Sequence, residues 1–323
     1  MGSQPRKISA SRGAAILGLS PYKSRVEIWR DLMFEKFPAA AIERGYAIPE
    51  PVENSAVKWG LAAEDMLIRI ASRLRPGLKI GKREKFYSKN DGIITCHIDG
   101  MYADGVLHEA KTTSQRAYSA KWGDPGTDLV PIEYQVQAQH QMYCTGAKQC
   151  IITVAVFPKT PDEYEKSGVE FDAKVWEKWF VATGSVYQYV IDRNDDAINV
   201  IVKSYLHFYE NYVFAIHEPQ VDSFDDLKIL LPWPTGELVA TDRIEEICGE
   251  HATIADEMDA LKKRQDEIKT EIGRFIQEFI KGRFVADADK IEIYGKSARK
   301  ICMYSKTKTG TMLRITKNKQ EEF

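Results

Sequence analysis

Apolar positions along this chain change their period from segment to segment. Between residues 55 and 74, Trp59, Ala63, Leu67, Ile70 and Leu74 recur at helical spacing. Pro76-Gly77 ends the run, which predicts a helix. Glu64 lies on another stripe of that helix, one turn after Gly60 and near Val57 and Ile68, so an acid there has room to reach inward. From residue 78 to 113 the period shortens. The runs KIGKREKFY, GIITCHIDGMY and GVLHEAKTT are separated by Asn90-Asp91-Gly92 and Asp104-Gly105, which are turn signals between short strands. A helix is expected from about residue 131 to 145, stopped by Gly146, followed by the buried strand CIITVAVF at 150–157.

Upstream, ISASRGAAILGLSPYKSRVEIWRDLM at 8–33 contains two helix starts, with Ser9 and Ser24 as caps and residues 18–21 as the break. A loop punctuated by Pro38, Pro49 and Pro51 follows. Downstream, SVYQYVIDR reads as a strand and AINVIVKSYLHFYENYVFAI as one long helix. Helix, three strands, helix and strand in that order imply an α/β domain with a mixed central sheet. LLPWPTG at 230–236 has the composition of a linker, which divides the chain into residues 1–229 and an extension at 230–323.

In the extension, Ile247, Ile254, Leu261, Ile268 and Phe275 repeat every seven residues, interleaved with Ile244, His251, Met258, Gln265, Ile272 and Phe279. This is an a/d seam with His251 and Gln265 as polar interruptions. It fits a self-association seam, a docking arm or, as the favoured expectation, an intramolecular helical hairpin. The tail holds Lys296, Arg299, Lys300, Lys306, Lys308, Arg314, Lys317 and Lys319 and no acid between 295 and 319, suggesting a basic hairpin. That hairpin is either a DNA-tracking surface or a solvated one.

Composition narrows the classes. No apolar run approaches the roughly 20 residues that span a bilayer, so no membrane segment is expected. MGSQPRK is not followed by the apolar stretch of a secretory signal, and Arg6 stands where a myristoylation site needs Ser or Thr. The 5 cysteines are scattered, without a CxxC pair, which argues against a disulfide framework, a zinc ribbon or an iron–sulfur cluster and fits a reducing cytoplasm. A net charge of -2 supplies no global signature for nucleic acid, so any such binding must come from local patches.

One stretch carries candidate chemistry: HIDGMYADGVLHEAKTT at 97–113. Side chains two apart on a strand share a face, so Glu109 and Lys111 point together while His108 and Ala110 point away. The MYADG connection can fold Asp99 beside them. Phosphodiester hydrolysis uses such a set: Mg²⁺ takes one or two carboxylates with waters and phosphate oxygens, and a lysine near the metal, its pKa lowered by like charge, can orient or deprotonate the attacking water. The competing explanation is a solvated cross-strand Glu–Lys pair. His97, His108 and His140 offer no ligand spacing and read as structural or solvated, and Trp59, Trp122, Trp176 and Trp179 read as packing residues.

Ile98-Asp99 followed by Glu109-Ala110-Lys111 resembles the signature of the PD-(D/E)XK nucleases, with Ile in place of the usual Pro. The blocks ISAS, GLSPYKS, WGLAAE, HIDG, HEAKT and PIEYQVQAQHQMYCTG, in this order over roughly residues 8 to 160, are similar to the YqaJ-type viral recombinase and lambda exonuclease family. The resemblance implies a restriction-endonuclease-like core. It also implies a role for each matching residue. Glu64, Asp99, Glu109 and the main-chain carbonyl of Ala110 would hold two Mg²⁺ ions, with Mn²⁺ able to substitute. Lys111 would be the catalytic lysine. Gln137 would stand beside it and the nucleophilic water, with Gln135 and Gln139 the nearest misalignments. Ser11 would contact the phosphate at the processed end. Its basic companion is not singled out, since Arg6, Lys7 and Arg12 compete; Arg12, Lys23 and Tyr134 join Ser11 as candidate DNA contacts.

The activity implied is a 5′ to 3′ exonuclease on linear duplex DNA ends, leaving a 3′ single strand for a strand-annealing recombinase. A ring-shaped homo-oligomer in a bacterial host cytoplasm, of phage or prophage origin, goes with it. Alternatives are a structure-specific or endonucleolytic enzyme of the same fold, a non-catalytic DNA-end or recombinase-binding module and, remotely, a carboxylate-pair glycosidase.

Overall fold

The computed structural model describes residues 8–49, 54–80, 86–90, 92–230, 239–281, 290–294, 300–307 and 310–315. The chain divides into two compact units, Met1–Pro234 and Thr235–Phe323.

The first unit is built on a mixed five-stranded sheet in the order Leu78–Ile80, Gly100–Tyr102, Leu107–Ser114, Gln149–Phe157, Val186–Asp192. Leu107–Ser114 and Gln149–Phe157 run parallel, with Glu109 opposite Ile152 and Lys111 opposite Val154; the other pairs are antiparallel. Gln149–Phe157 is buried from Cys150 onward, as expected of a strand covered on both faces. Its alternation divides two cores. Cys150, Ile152 and Val154 pack with Val136, Ala138 and Met142 of the helix Ile132–Thr145. Ala155 and Phe157 pack with Trp59, Ala63 and Leu67 of the helix Ser55–Leu74. Trp176 and Trp179 join that second aromatic core, and Trp122 packs against Tyr134 and Tyr189.

A smaller sheet lies alongside: Ile94–His97 pairs parallel with Ile8–Ser9 and antiparallel with Phe86–Lys89. The expected strand GIITCHIDGMY is thus two strands. It crosses from the small sheet to the large one at Ile98-Asp99.

The local reasons for the helices are visible in the sequence. Ser24 and Glu27 close a capping box on Arg25–Lys36, Asn54 caps Ser55–Leu74 through the Val57 N–H, and Gly146, at φ 79, ends Ile132–Thr145. Ser9 instead precedes a short 3₁₀ turn, Ala10–Arg12, with no side-chain cap. The stretch around Pro38 is not all loop, because Pro38 opens a helix, Pro38–Glu43, at the position where its missing N–H costs nothing. The expected long helix at 197–216 is α-helical only as Asp195–Phe208, then widens into a π-helix, Tyr209–Phe214. No helix among the described residues is long and apolar enough to cross a membrane.

In the second unit the heptad segment is one helix of 40 residues, Asp242–Lys281, in place of the expected helical hairpin. It contains no proline, and Gly249 and Gly273 keep helical backbone without positive φ, so nothing breaks it. Ile247, Ile254, Leu261 and Phe275 of its seam are exposed. In the tail, Lys300–Thr307 and Gly310–Ile315 pair as an antiparallel hairpin, and a third strand, Lys290–Tyr294, adds to it. Lys296, Arg299, Lys308, Lys317 and Lys319 lie outside the described residues.

Candidate active site

Three elements bring the candidate residues together. Leu107–Ser114 presents Glu109 and Lys111 on one face, toward the helix Ile132–Thr145. Lys111 Nζ lies 2.5 Å from Glu109 Oε1, and Gln137 Nε2 reaches the same oxygen at 2.5 Å. From one helical turn further, Gln141 Nε2 donates to Glu109 Oε2 at 2.7 Å and to the His97 carbonyl at 3.2 Å. Glu109 is 4% exposed, so these donors are its solvation. The other helix glutamines look elsewhere: Gln135 donates to the Asp128 carbonyl and Gln139 to that of Asp192.

Asp99 arrives from the crossing between the two sheets. Its Oδ2 accepts the Ala110 N–H at 2.7 Å. The ladder between Gly100–Tyr102 and Leu107–Ser114 ends at the Gly100–His108 pair, so the carboxylate takes the place of the next backbone rung. Burial, with the negative charges of Glu109 and Glu64, pushes the Asp99 carboxyl up to about 8, against the pull of Lys111 and the Ala110 N–H. Glu64 acts on Asp99 through this charge. It belongs to Ser55–Leu74, which packs on the other face of the sheet, where Gly60 faces Thr112. Among the described residues no three His, Cys, Asp or Glu side chains are grouped closely enough to hold a metal ion, so the expected Glu64, Asp99, Glu109 triad is not closed. Asp99 and Glu109 nevertheless bring carboxylate oxygens together beside the Ala110 main chain, and oxygen donors suit a hard divalent cation. The raised Asp99 carboxyl marks where additional positive charge would be stabilised.

The Lys111 ammonium departs from expectation. Burial alone would lower its pKa, but the charges of Glu109 and Asp99 and the hydrogen bond to Glu109 outweigh it and hold it above the ordinary lysine value. It also sits 5.0 Å from the centroid of the Tyr134 ring. Burial, then the neighbouring Tyr22 hydroxyl, raises the Tyr134 phenol, so the GLSPYKS loop is in contact with this helix face.

The proposed DNA contacts are placed less simply. Ser11 is exposed and shares a hydrogen bond with Ser9 at 3.1 Å. Arg12 makes a two-pronged ion pair with Glu35 at 2.7 and 3.2 Å, and Lys23 pairs with Asp31 at 2.8 Å. His108 and His140 are buried structural residues. His108 bonds Thr153, with burial lowering its pKa to about 4, and His140 bonds the Thr95 carbonyl. Gln141 shares a helix face with Gln137 and Tyr134, a face that the sequence offers for hydrogen bonds to the end of the sheet, and its amide reaches Glu109 as well as the His97 carbonyl.

Residues 3–148, which contain this whole constellation, match the family model of the YqaJ-like viral recombinase domain. The amino-terminal part of the chain, less than half of its length, is similar to that domain. A curated relative, the uncharacterized protein YqaJ of Bacillus subtilis (strain 168), is 24% identical over 218 residues, which cover 67% of this chain and 56% of the relative. The chain therefore spans little more than half the length of that relative. Among solved structures, it is similar to an alkaline exonuclease (LHK-Exo) from Laribacter hongkongensis, at 18% identity and TM-score 0.44 over 65% of this chain and 89% of that one. It is also similar to a phage related exonuclease from Haemophilus somnus 129PT, at 16% identity and TM-score 0.45 over 66% and 97%. The match to the YqaJ-like domain ends at residue 148, immediately before the strand Gln149–Phe157 that pairs with the site strand.

Proposed function

We propose that this protein is a divalent-metal-dependent exonuclease that degrades linear duplex DNA from its 5′ ends and leaves a 3′ single strand. The observation that carries the reading is the convergence of Asp99, Lys111 and Gln137 around the buried carboxylate of Glu109, inside the stretch that matches the YqaJ-like domain. A solvated cross-strand pair would need neither the burial of Glu109 nor three separate donors on its two oxygens.

In this reading the residues divide the work by chemistry. Asp99, Glu109 and the Ala110 carbonyl would hold Mg²⁺, or Mn²⁺ in its place, with Glu64 adding negative charge behind Asp99. When bound, the cation supplies Lewis acidity toward the scissile phosphate and makes water more acidic. Lys111, kept an ammonium by Glu109 and Asp99, donates to the attacking water or to a phosphate oxygen rather than removing a proton. Gln137 Nε2, beside the same Glu109 oxygen, positions that ammonium, and the Tyr134 ring limits its movement. Ser11, with Arg12 and Lys23 once released from their ion pairs, would meet the DNA end. Residues 1–229 form the exonuclease domain in this proposal and 230–323 its extension. A strand-annealing recombinase as partner, two ions per site, a ring-shaped oligomer and a bacterial cytoplasmic setting belong to the same proposal.

The test is incubation with Mg²⁺ and linear duplexes labelled separately at 5′ and 3′ ends, with and without 5′ phosphate, beside a closed circle. Mononucleotides released from 5′ ends alone are expected. Cutting of the circle would replace the reading with an endonuclease, and inactivity with tight end binding would replace it with a binding module.

A further inference from the structure

Away from the Glu109 centre, the first unit contains a cleft of about 400 Å³ lined by Arg25, Lys203, Ser204, His207, Phe208 and Tyr212, together with the end of the helix Gly13–Ile16. Its lining includes no acid. Among the described residues none of Arg25, Lys203 and His207 has a carboxylate within ion-pair distance; the nearby Arg12, Lys23 and Arg30 all have one.

Three features define the cleft. Lys203 and His207 are four apart on one helix, an arrangement that sets two basic side chains one above the other and gives the helix nothing when both are charged. The helix dipole favours a base in the last turn, which accounts for His207 but not for Arg25 arriving from a different helix. Arg25 is itself fixed, its Nε donating to the Ile16 carbonyl at 2.9 Å, so the rest of the guanidinium is held in place. Finally, the helix widens into its π turn directly after the basic pair. In an α-helix a residue five positions on leaves the face of the first; here the Tyr212 ring meets His207 edge-on at 6.0 Å and closes the cleft.

One fixed guanidinium and two exposed basic side chains, none with a carboxylate in ion-pair distance among the described residues, stand beside an aromatic wall and suit a phosphate group attached to something flat. We propose that this cleft is a phosphate-binding subsite, occupied by the DNA backbone near the cut end or by the phosphate of a released product. The proposal rests on the exonuclease reading for its substrate. The chain itself links the two places. Tyr22 touches Tyr134 beside Lys111, and Arg25 follows three residues later, a span of at most about 11 Å. A strand with its end at Lys111 therefore has a phosphate within reach of the cleft a few nucleotides along.

The test uses the full chain and a Lys203→Ala/His207→Ala double variant. Both side chains are exposed, and an unchanged melting curve verifies the fold. Binding of a fluorescent 30-base-pair duplex is measured in EDTA across a salt series, and binding of inorganic phosphate is measured by calorimetry. Loss of one backbone contact is expected to make the slope of log K against log salt shallower by about 1. A shallower slope without phosphate binding assigns the cleft to the DNA backbone. Saturable phosphate binding that the variant loses, with the slope unchanged, assigns it to a released phosphate. An unchanged slope, with phosphate binding either absent or equal in both proteins, overturns the proposal. Cleavage of linear duplex by the wild type is scored separately, so failure of the exonuclease reading leaves the phosphate measurement independent.

Discussion

Gln141 Nε2 lies 2.7 Å from Glu109 Oε2, on the oxygen opposite the one that Lys111 and Gln137 hold. Gln141 also donates to the His97 carbonyl, so one amide ties the glutamate to the strand that leads into Asp99. Removing it in Gln141→Leu should leave one buried Glu109 oxygen without its donor, at a cost of about 1–3 kcal/mol. Activation by Mg²⁺ should weaken about 10- to 100-fold as Glu109 loses its orientation. A Mg²⁺ titration of the cleavage rate checks this; an unchanged midpoint would show that Gln137 and Lys111 suffice.

Lys111→Ala should lower cleavage by about 100-fold or more, the scale of a positioned proton donor, while the Kd for duplex DNA stays within about 2-fold. Paired cleavage and anisotropy measurements decide it, and retained cleavage would remove Lys111 from the mechanism.

Mg²⁺ should stabilise the fold. At about 100 times its Kd a ligand bound only by the native state adds about 2.7 kcal/mol, which appears as a rise in Tm. Asp99→Asn and Glu109→Gln should each abolish most of that rise, because each removes an anionic oxygen ligand. Equal shifts in wild type and variants would locate the cation elsewhere.

Gly13 has a structural role that its negative φ conceals. A Cβ added there would stand 1.8 Å from the Tyr205 hydroxyl and 2.8 Å from its Cζ, and Tyr205 is fully buried with no room to turn. Gly13→Ala should therefore destabilise the first unit by about 1–3 kcal/mol through overpacking. Equilibrium denaturation measures it, and Tyr205→Phe in the same background should recover part of the loss.

The opposite result is expected at Gly249 and Gly273 in the helix Asp242–Lys281. A Cβ at either meets nothing within 4 Å. Gly249→Ala and Gly273→Ala should each stabilise that helix by about 1 kcal/mol, visible as increased helical circular dichroism and a later helix-melting transition.

Much of this site is legible in the sequence. The alternation in HEAK sets Glu109 and Lys111 on one face, and Ser24 and Gly146 mark helix ends where they occur, whereas Ser9 makes no cap. What was not legible depends on packing between distant segments. The ion pairs that hold Arg12 to Glu35 and Lys23 to Asp31 join residues whose spacing carries no signal. The crossing at Ile98-Asp99 was hidden because two consecutive strands in different sheets have the same apolar pattern as one. The π turn after Phe208 was hidden for a related reason. It shifts the facing residue by one, and Tyr212 is aromatic enough to suit either period. The heptad segment was misjudged in the other direction, since its two polar seam positions suggested a break that the backbone does not make.

The Ala110 N–H bound to Asp99 gives one oxygen atom two dependants: the edge of a sheet and a candidate ligand position. Truncating Asp99 would therefore release a strand edge at the same moment that it removed a charge, and an inactive Asp99→Ala protein would not reveal which loss was responsible. Asn keeps an acceptor for the amide and discards only the charge. Amide hydrogen exchange at Ala110 then becomes a reporter that separates a frayed sheet from a disarmed centre.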